Sequence, residues 1–275
     1  MGFLKLRDRD AIITEDNIIF RVYGYFHPPN AYICDVEYAP AAVYKSIIPR
    51  AFRARGKQVY YKFYADEGLR FVQKNYPQYT VMYELLQQRL VGVQQALVKR
   101  TRKPDEKFQH LIKKHPKDAL IHALHRMFSL ITARTELSER DFGVFGSLLH
   151  NFYHPNFSDL DLIVYGKEKL RELRETLEEF YREESSPLRN EFETKEAIRT
   201  KHWKFLKYSL DEYLWHQRRK TIYALFEDEK SERIIKVEFE PVKDWKEIYN
   251  ESVSYTHLRA HETRHDLVCR LLLEK

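Results

Sequence analysis

The sequence predicts an α+β protein, with a small β-rich N-terminal domain followed by a domain that mixes helices and strands. Three observations point there. Residues 11–83 are rich in Tyr, Phe, Ile and Val and are broken by turn-forming clusters, which is strand-type sequence. From Lys117 onward the apolar residues recur at helical spacing. Between 142 and 165, one apolar run closes on Gly146-Ser147 and a second opens on Asp159 and Asp161, so the pair reads as two strands joined by a loop.

The elements follow in order. Turn signals at His27-Pro28-Pro29-Asn30, Tyr38-Ala39-Pro40, Arg55-Gly56-Lys57 and Tyr76-Pro77 separate strands expected at 18–26, 32–36, 59–64 and 79–83, with a short helix at 66–75. The charged run Lys99-Arg100-Thr101-Arg102-Lys103, ending at Pro104, reads as a linker, so the N-terminal domain is expected over 1–100 and the second over 101–251. Leu120, Ala123, Leu124, Met127, Phe128 and Ile131 line one face of a helix that reaches Arg134. After the Asp159 strand comes a charged helix at 167–184 with Leu170, Leu173, Leu177 and Phe180 or Tyr181 facing a core. A Lys-rich helix around 196–217 and strands at 221–226 and 234–242 complete the order.

The chemistry lies in the middle of the chain. A strand that ends in Gly-Ser offers backbone N–H groups and a hydroxyl to a phosphate. Asp159 and Asp161 share one face of their strand while Leu160, Leu162 and Val164 take the other. Two carboxylates held side by side repel unless a hard cation lies between them, and Mg²⁺ binds oxygen ligands while leaving positions open for substrate phosphates.

Gly-Ser followed after eleven residues by Asp-Leu-Asp-Leu resembles the signature of the DNA polymerase β-like nucleotidyltransferase superfamily. The whole chain also resembles a group of uncharacterised archaeal predicted nucleotidyltransferases. This resemblance implies a mixed sheet with flanking helices, and a cytoplasmic enzyme that uses Mg²⁺ or Mn²⁺ to transfer a nucleoside monophosphate from a nucleoside triphosphate to a hydroxyl, releasing pyrophosphate. It gives Asp159 and Asp161 the role of metal ligands, and Gly146 and Ser147 that of holding the nucleotide's phosphates. It also requires a third carboxylate on a later strand. Glu238 and Glu240 both alternate with apolar residues there; Glu238, three residues before Pro241, matches the third acidic residue of archaeal CCA-adding enzymes better. Two exposed glutamates on a half-buried strand remain the alternative.

Small relatives carry Ala-Arg-Gly after the Gly-Ser, whereas this chain has Leu149-His150-Asn151, and a near-neutral His150 pairs weakly with phosphate. The triphosphate contact is then sought among Lys201, Lys204 and Lys207, or Arg218, Arg219 and Lys220, although such charges usually form a solvated helix face. His122, His125, His150 and His154 read as surface or packing residues rather than ligands.

Residues 252–275 resemble a translated sequencing adapter, with 253–263 and 266–275 matching its two ends. They are set aside as a non-native tail, together with the His257, His261 and His265 repeat and Cys269. On that reading the native sequence after residue 251 is not present. The tail carries four Lys/Arg and three Asp/Glu, so the net charge falls only from +6 to +5 without it. Such a balance permits a nucleic-acid partner without demanding one. Cys34 is then the one remaining cysteine, which excludes a disulfide framework and a cysteine-based zinc site. The sequence has no run of about eighteen apolar residues and its start does not read as a signal peptide, so a cytoplasmic protein is expected.

In the N-terminal domain, Arg50, Arg53, Arg55 and Lys57 precede Tyr60, Tyr61, Phe63 and Tyr64. The pattern fits either base stacking or ordinary strand packing, and RNA joins protein side chains and small hydroxyl compounds among the acceptors considered. The contrasting reading is a non-catalytic nucleotide- or RNA-binding module on the same fold.

Overall fold

The computed structural model describes residues 4–84, 86–193 and 209–248. The chain divides into two compact units, one built on the chain up to Lys103 together with Trp245, the other on Pro104–Asp244. No helix among the described residues is long and apolar enough to cross a membrane.

The first unit is a sheet of β1 (Ala11–Thr14), β2 (Ile19–Val22), β3 (Ala31–Pro40), β4 (Phe52–Arg55), β5 (Gln58–Lys62), β6 (Thr80–Tyr83), β7 (Gln88–Gln94) and β8 (Val98–Arg102), with helix α1 (Glu67–Asn75). Its order runs β4-β5-β3-β2-β1-β8, and β7 joins the start of β3 to β6. All pairings are antiparallel. β3 is the hub: residues 31–33 pair with β7, 34–38 with β2 and 38–40 with β5. Ile12, Phe20, Tyr32, Val36, Phe63, Phe71 and Tyr79 pack beneath it as a core. The charged run at 99–103 is not a linker. Lys99–Arg102 form most of β8, paired with β1 at the edge of the sheet, where charged side chains are tolerated. The chain also returns to this unit after Asp244, where the Trp245 ring sits under Lys5, Arg7 and Lys103 at 4.7, 5.0 and 5.7 Å.

The second unit opens with α2 (Pro104–Lys113), where proline occupies the first helical position and Asp105 and Glu106 the first turn. α3 (Ala119–Thr132) starts at Asp118, whose carboxylate accepts the Ile121 N–H at 3.1 Å. Then follow β9 (Phe142–Val144), α4 (Gly146–His150), β10 (Leu160–Tyr165), α5 (Lys167–Arg182), β11 (Leu188–Asn190), α6 (Leu210–Lys220), β12 (Tyr223–Asp228) and β13 (Arg233–Val242). A capping box fixes the start of α6: Glu212 N–H donates to the Ser209 hydroxyl at 3.2 Å, and Ser209 N–H donates to the Glu212 carboxylate at 2.7 Å. The sheet order is β11-β12-β13-β10-β9, antiparallel except for the central β10–β13 pair. Leu120, Leu124, Met127, Leu162, Leu173, Leu177 and Phe239 are buried between its helices and strands, and Arg126 grips the buried Asp228 with a bidentate pair.

The helix expected around 196–217 is described only as α6. Residues 194–208, including Lys201, Lys204 and Lys207, lie outside the described residues, as does the tail at 252–275.

Candidate active site

The site is assembled by register. In the parallel β10–β13 ladder Asp161 lies directly opposite Glu238, so residues from distant parts of the sequence meet on one face of the sheet. Asp159 stands just ahead of β10, and Leu160 and Leu162 are buried on its other face. On β13, Ile235, Val237 and Phe239 are buried, which turns Lys236, Glu238 and Glu240 the other way.

The Gly-Ser turn reaches the same place from the other neighbour of β10. β9 ends at Val144, so Gly146 and Ser147 do not close the strand as expected; they open α4. Phe145 N–H donates to the Asp161 carbonyl at 3.1 Å, tying that turn to β10. Gly146 has φ of +57°, and a Cβ built there would sit 2.6 Å from Asp161 Oδ2. Glycine takes that backbone without strain and leaves the Asp161 carboxylate where it is, whereas any side chain would have to displace it. Asn151 ends α4 in the left-handed conformation, its side chain accepting from Lys107 at 2.7 Å.

A cavity of about 390 Å³ is lined by Asp159, Asp161 and Glu238 together with Lys236 and Val237. Its remaining lining comes from β12, α6 and the end of β11: Tyr223, Tyr213, Gln217, Glu191 and Phe192. Tyr223 pairs in register with Glu238 across β12–β13. Burial pushes its hydroxyl well above the ordinary tyrosine value, with the carboxylates of Glu238, Glu240 and Glu191 and the neighbouring Tyr213 adding to the effect. Raising that value favours the neutral phenol. Burial also raises Tyr213, with Glu191 second. Lys236 donates to Glu191 Oε1 at 2.5 Å, and Phe192 meets Tyr213 and Tyr223 edge-on at 6.0 and 5.4 Å. Glu240, opposite Ile163, is not among the cavity-lining residues.

The donor chemistry fits a hard divalent cation, since Asp159, Asp161 and Glu238 present only carboxylate oxygens. Among the described residues no group of three His, Cys, Asp or Glu is arranged to hold a metal by itself. Mg²⁺ is commonly bound through one or two carboxylates, with substrate phosphates and water supplying the rest.

The remaining expected residues sort differently. His150 is fully buried, which removes it as a phosphate contact. Arg218 is committed to the carbonyls of Phe192 and Glu193, at 3.2 and 2.8 Å from Nη2, and Arg219 lies over Trp215 at 4.1 Å. Lys220 comes within 5.8 Å of the Tyr223 ring. His125 faces the Leu111 carbonyl at 2.9 Å, a packing role. Glu191, Phe192, Tyr213, Gln217, Tyr223 and Lys236 escaped notice in the sequence. Only Lys236, two residues before Glu238 on the same strand face, carried a readable signal.

The mixed sheet sets the Gly146-Ser147 turn beside the Asp159–Asp161 pair. Residues 130–253 match the family described as the nucleotidyltransferase domain. The chain is also 24% identical, over 192 residues, to an uncharacterised protein of Methanocaldococcus jannaschii. The aligned region is 69% of this chain and 56% of that protein, so the chain spans little more than half the length of that relative. No solved structure matches the chain at comparable significance.

Proposed function

We propose that the chain transfers a nucleoside monophosphate from a nucleoside triphosphate to a hydroxyl acceptor, with release of pyrophosphate. The observation that carries this reading is the register that sets Glu238 opposite Asp161 while Gly146 packs against the Asp161 carboxylate. Asp159 and Asp161, with Glu238 across the ladder, would offer carboxylates to Mg²⁺ or Mn²⁺ together with the nucleotide's phosphates, and the ion when bound would neutralise phosphate charge and acidify the attacking hydroxyl. Backbone N–H groups at Gly146 and Ser147, with the Ser147 hydroxyl, hold the β- and γ-phosphates. The acceptor oxygen attacks the α-phosphorus, the bond to the β-phosphate oxygen breaks, and pyrophosphate leaves. Glu238 takes up the acceptor's proton.

The cavity lies toward β12 and α6, on the Glu238 side of the carboxylates, whereas Gly146 and Ser147 flank Asp161 from the β9 side. That division supports the cavity as the acceptor's place. Its volume is in the range of small-molecule pockets.

The test incubates the chain with Mg²⁺, each α-labelled nucleoside triphosphate and separate pools of RNA, protein and small metabolites. Label transferred to one pool and lost in an Asp159→Ala/Asp161→Ala variant supports the reading. Mg²⁺-dependent nucleotide binding with no transfer to any pool contradicts it and leaves a binding module.

A further inference from the structure

The first unit carries a surface that the proposed transfer reaction does not use. Residues 41–64 contain six basic residues, Lys45, Arg50, Arg53, Arg55, Lys57 and Lys62, and no Asp or Glu. With 41 acidic residues in 275, three or four would be expected in a stretch of that length. Charges of both signs are interspersed over most of the chain, so a one-sign segment concentrates positive potential at one place.

The fold places Arg50, Arg53, Lys57 and Lys62 on or beside the terminal hairpin of the sheet. β4 is the terminal strand of its order, and the β4–β5 hairpin sets Phe52 opposite Tyr61 and Arg53 opposite Tyr60. Arg50 lies over the Tyr64 ring at 4.7 Å, Lys62 approaches the same ring at 5.7 Å, and the Tyr64 hydroxyl donates to the Arg50 carbonyl at 3.2 Å. Arg53 is held by the carbonyls of Arg50 and Phe52 at 2.6 and 2.8 Å. Among the described residues none of Lys45, Arg50, Arg53, Lys57 and Lys62 forms an ion pair with a carboxylate. The carboxylates at the border are otherwise engaged: Glu67 accepts the Tyr64 N–H at 3.0 Å and Asp66 pairs with Arg70 at 2.8 Å. Phe52 is 51% exposed beside this cluster, its ring 6.0 Å from Tyr61.

We infer that this hairpin is a binding surface for single-stranded nucleic acid. Cations held by backbone carbonyls and a ring, rather than by carboxylates, remain available to phosphates, and no counter-charge has to be displaced to reach them. Phe52 offers a flat apolar face on which an unstacked base can lie, and Arg50 on Tyr64 offers a second planar platform. Duplexes hide their base faces, so the aromatic component selects single strands.

The test is fluorescence anisotropy of the full chain with a labelled single-stranded oligoribonucleotide. One phosphate contact each from Arg50, Arg53, Lys57 and Lys62 predicts that affinity falls about 50-fold between about 50 and 200 mM salt. Phe52→Ala is expected to weaken binding about tenfold, and Arg50→Glu/Lys62→Glu more than about thirtyfold. Arg171→Glu/Arg182→Glu on α5 makes the same charge change elsewhere and leaves affinity unchanged. Circular dichroism and thermal melts of each variant separate lost contacts from lost fold, and Arg50→Gln/Lys62→Gln replaces the reversal if it fails to fold. Failure to bind RNA at low salt, equal weakening by the α5 variant, or preference for phosphatidylserine vesicles over the oligonucleotide would each overturn the inference.

Discussion

Gly146→Ala is the substitution that best separates the site from the fold. Gly146 sits at φ +57°, where an L-residue costs roughly 1–2 kcal/mol, and the new Cβ would lie 2.6 Å from Asp161 Oδ2, against ordinary contacts of about 3.5 Å. The clashing atom is the far end of a side chain, so the overlap is relieved by rotating the Asp161 carboxylate rather than by moving β10. An off-rotamer side chain adds about 1 kcal/mol. Together these predict a melting temperature lowered by roughly 5–10 °C with the cooperative transition retained. Activity should fall much further, because misplacing a reactive group by about 1 Å costs about 100-fold. The assay is transfer of α-label from a nucleoside triphosphate at a temperature well below the variant's melting point. Full activity in a variant with the expected melting shift would refute the argument that Gly146 exists to admit the Asp161 carboxylate.

Other expectations follow from single contacts. Asp161→Asn keeps the shape and removes the charge, so transfer should drop at least about 1000-fold with an unchanged melt; retained transfer would take Asp161 out of the chemistry. Arg126→Ala strands the Asp228 carboxylate, which is 1% exposed. Although burial alone would raise it, the Arg126 and Ser231 contacts hold that carboxyl below its ordinary value. A loss of about 3 kcal/mol in denaturant unfolding is expected, and a loss under 1 kcal/mol would contradict the pairing. His27 is lowered by burial from 6.5 to about 4, and its Nδ1 accepts the Ile33 N–H at 3.2 Å. Its contribution is therefore present above pH 6.5 and lost as pH falls through about 4, and His27→Gln should flatten that acid limb by about 1–3 kcal/mol. Asp10, raised by burial to about 6 despite Lys103, acts oppositely: its contribution is present below 3.8 and lost as pH rises through 6. The His27 contribution is thus the difference between variant and parent, and identical pH profiles would contradict it.

The sequence disclosed those elements whose pattern is local. α3 and α5 show their buried stripes plainly, and β10 announces itself through Asp159, Asp161 and the apolar residues between and after them. Alternation marks Glu238 and Glu240 alike and only the resemblance to archaeal CCA-adding enzymes favours Glu238, while its position opposite Asp161 is a matter of long-range pairing. The same reason hid Tyr223, Glu191 and Tyr213, which come to the cavity through the β11–β12–β13 register and the packing of α6 rather than through any spacing of their own. β8 reads as a linker in the sequence because its charges follow one another, whereas an edge strand tolerates such a run. α2 is less legible, although Pro104 with Asp105 and Glu106 is a recognisable helix start, because the preceding charged run reads as a boundary.

The central claim, nucleotidyl transfer at the Asp159–Asp161–Glu238 face, is tested most directly by following both ends of one substrate. Nucleoside triphosphate labelled at the α- or the γ-phosphate is incubated with the chain, Mg²⁺ and the acceptor pool that accepts label. The account predicts α-label on the acceptor, γ-label in pyrophosphate in equal amount, and neither product from Asp161→Asn. Label from the γ-position on the acceptor or in orthophosphate, or undiminished products from Asp161→Asn, would contradict it.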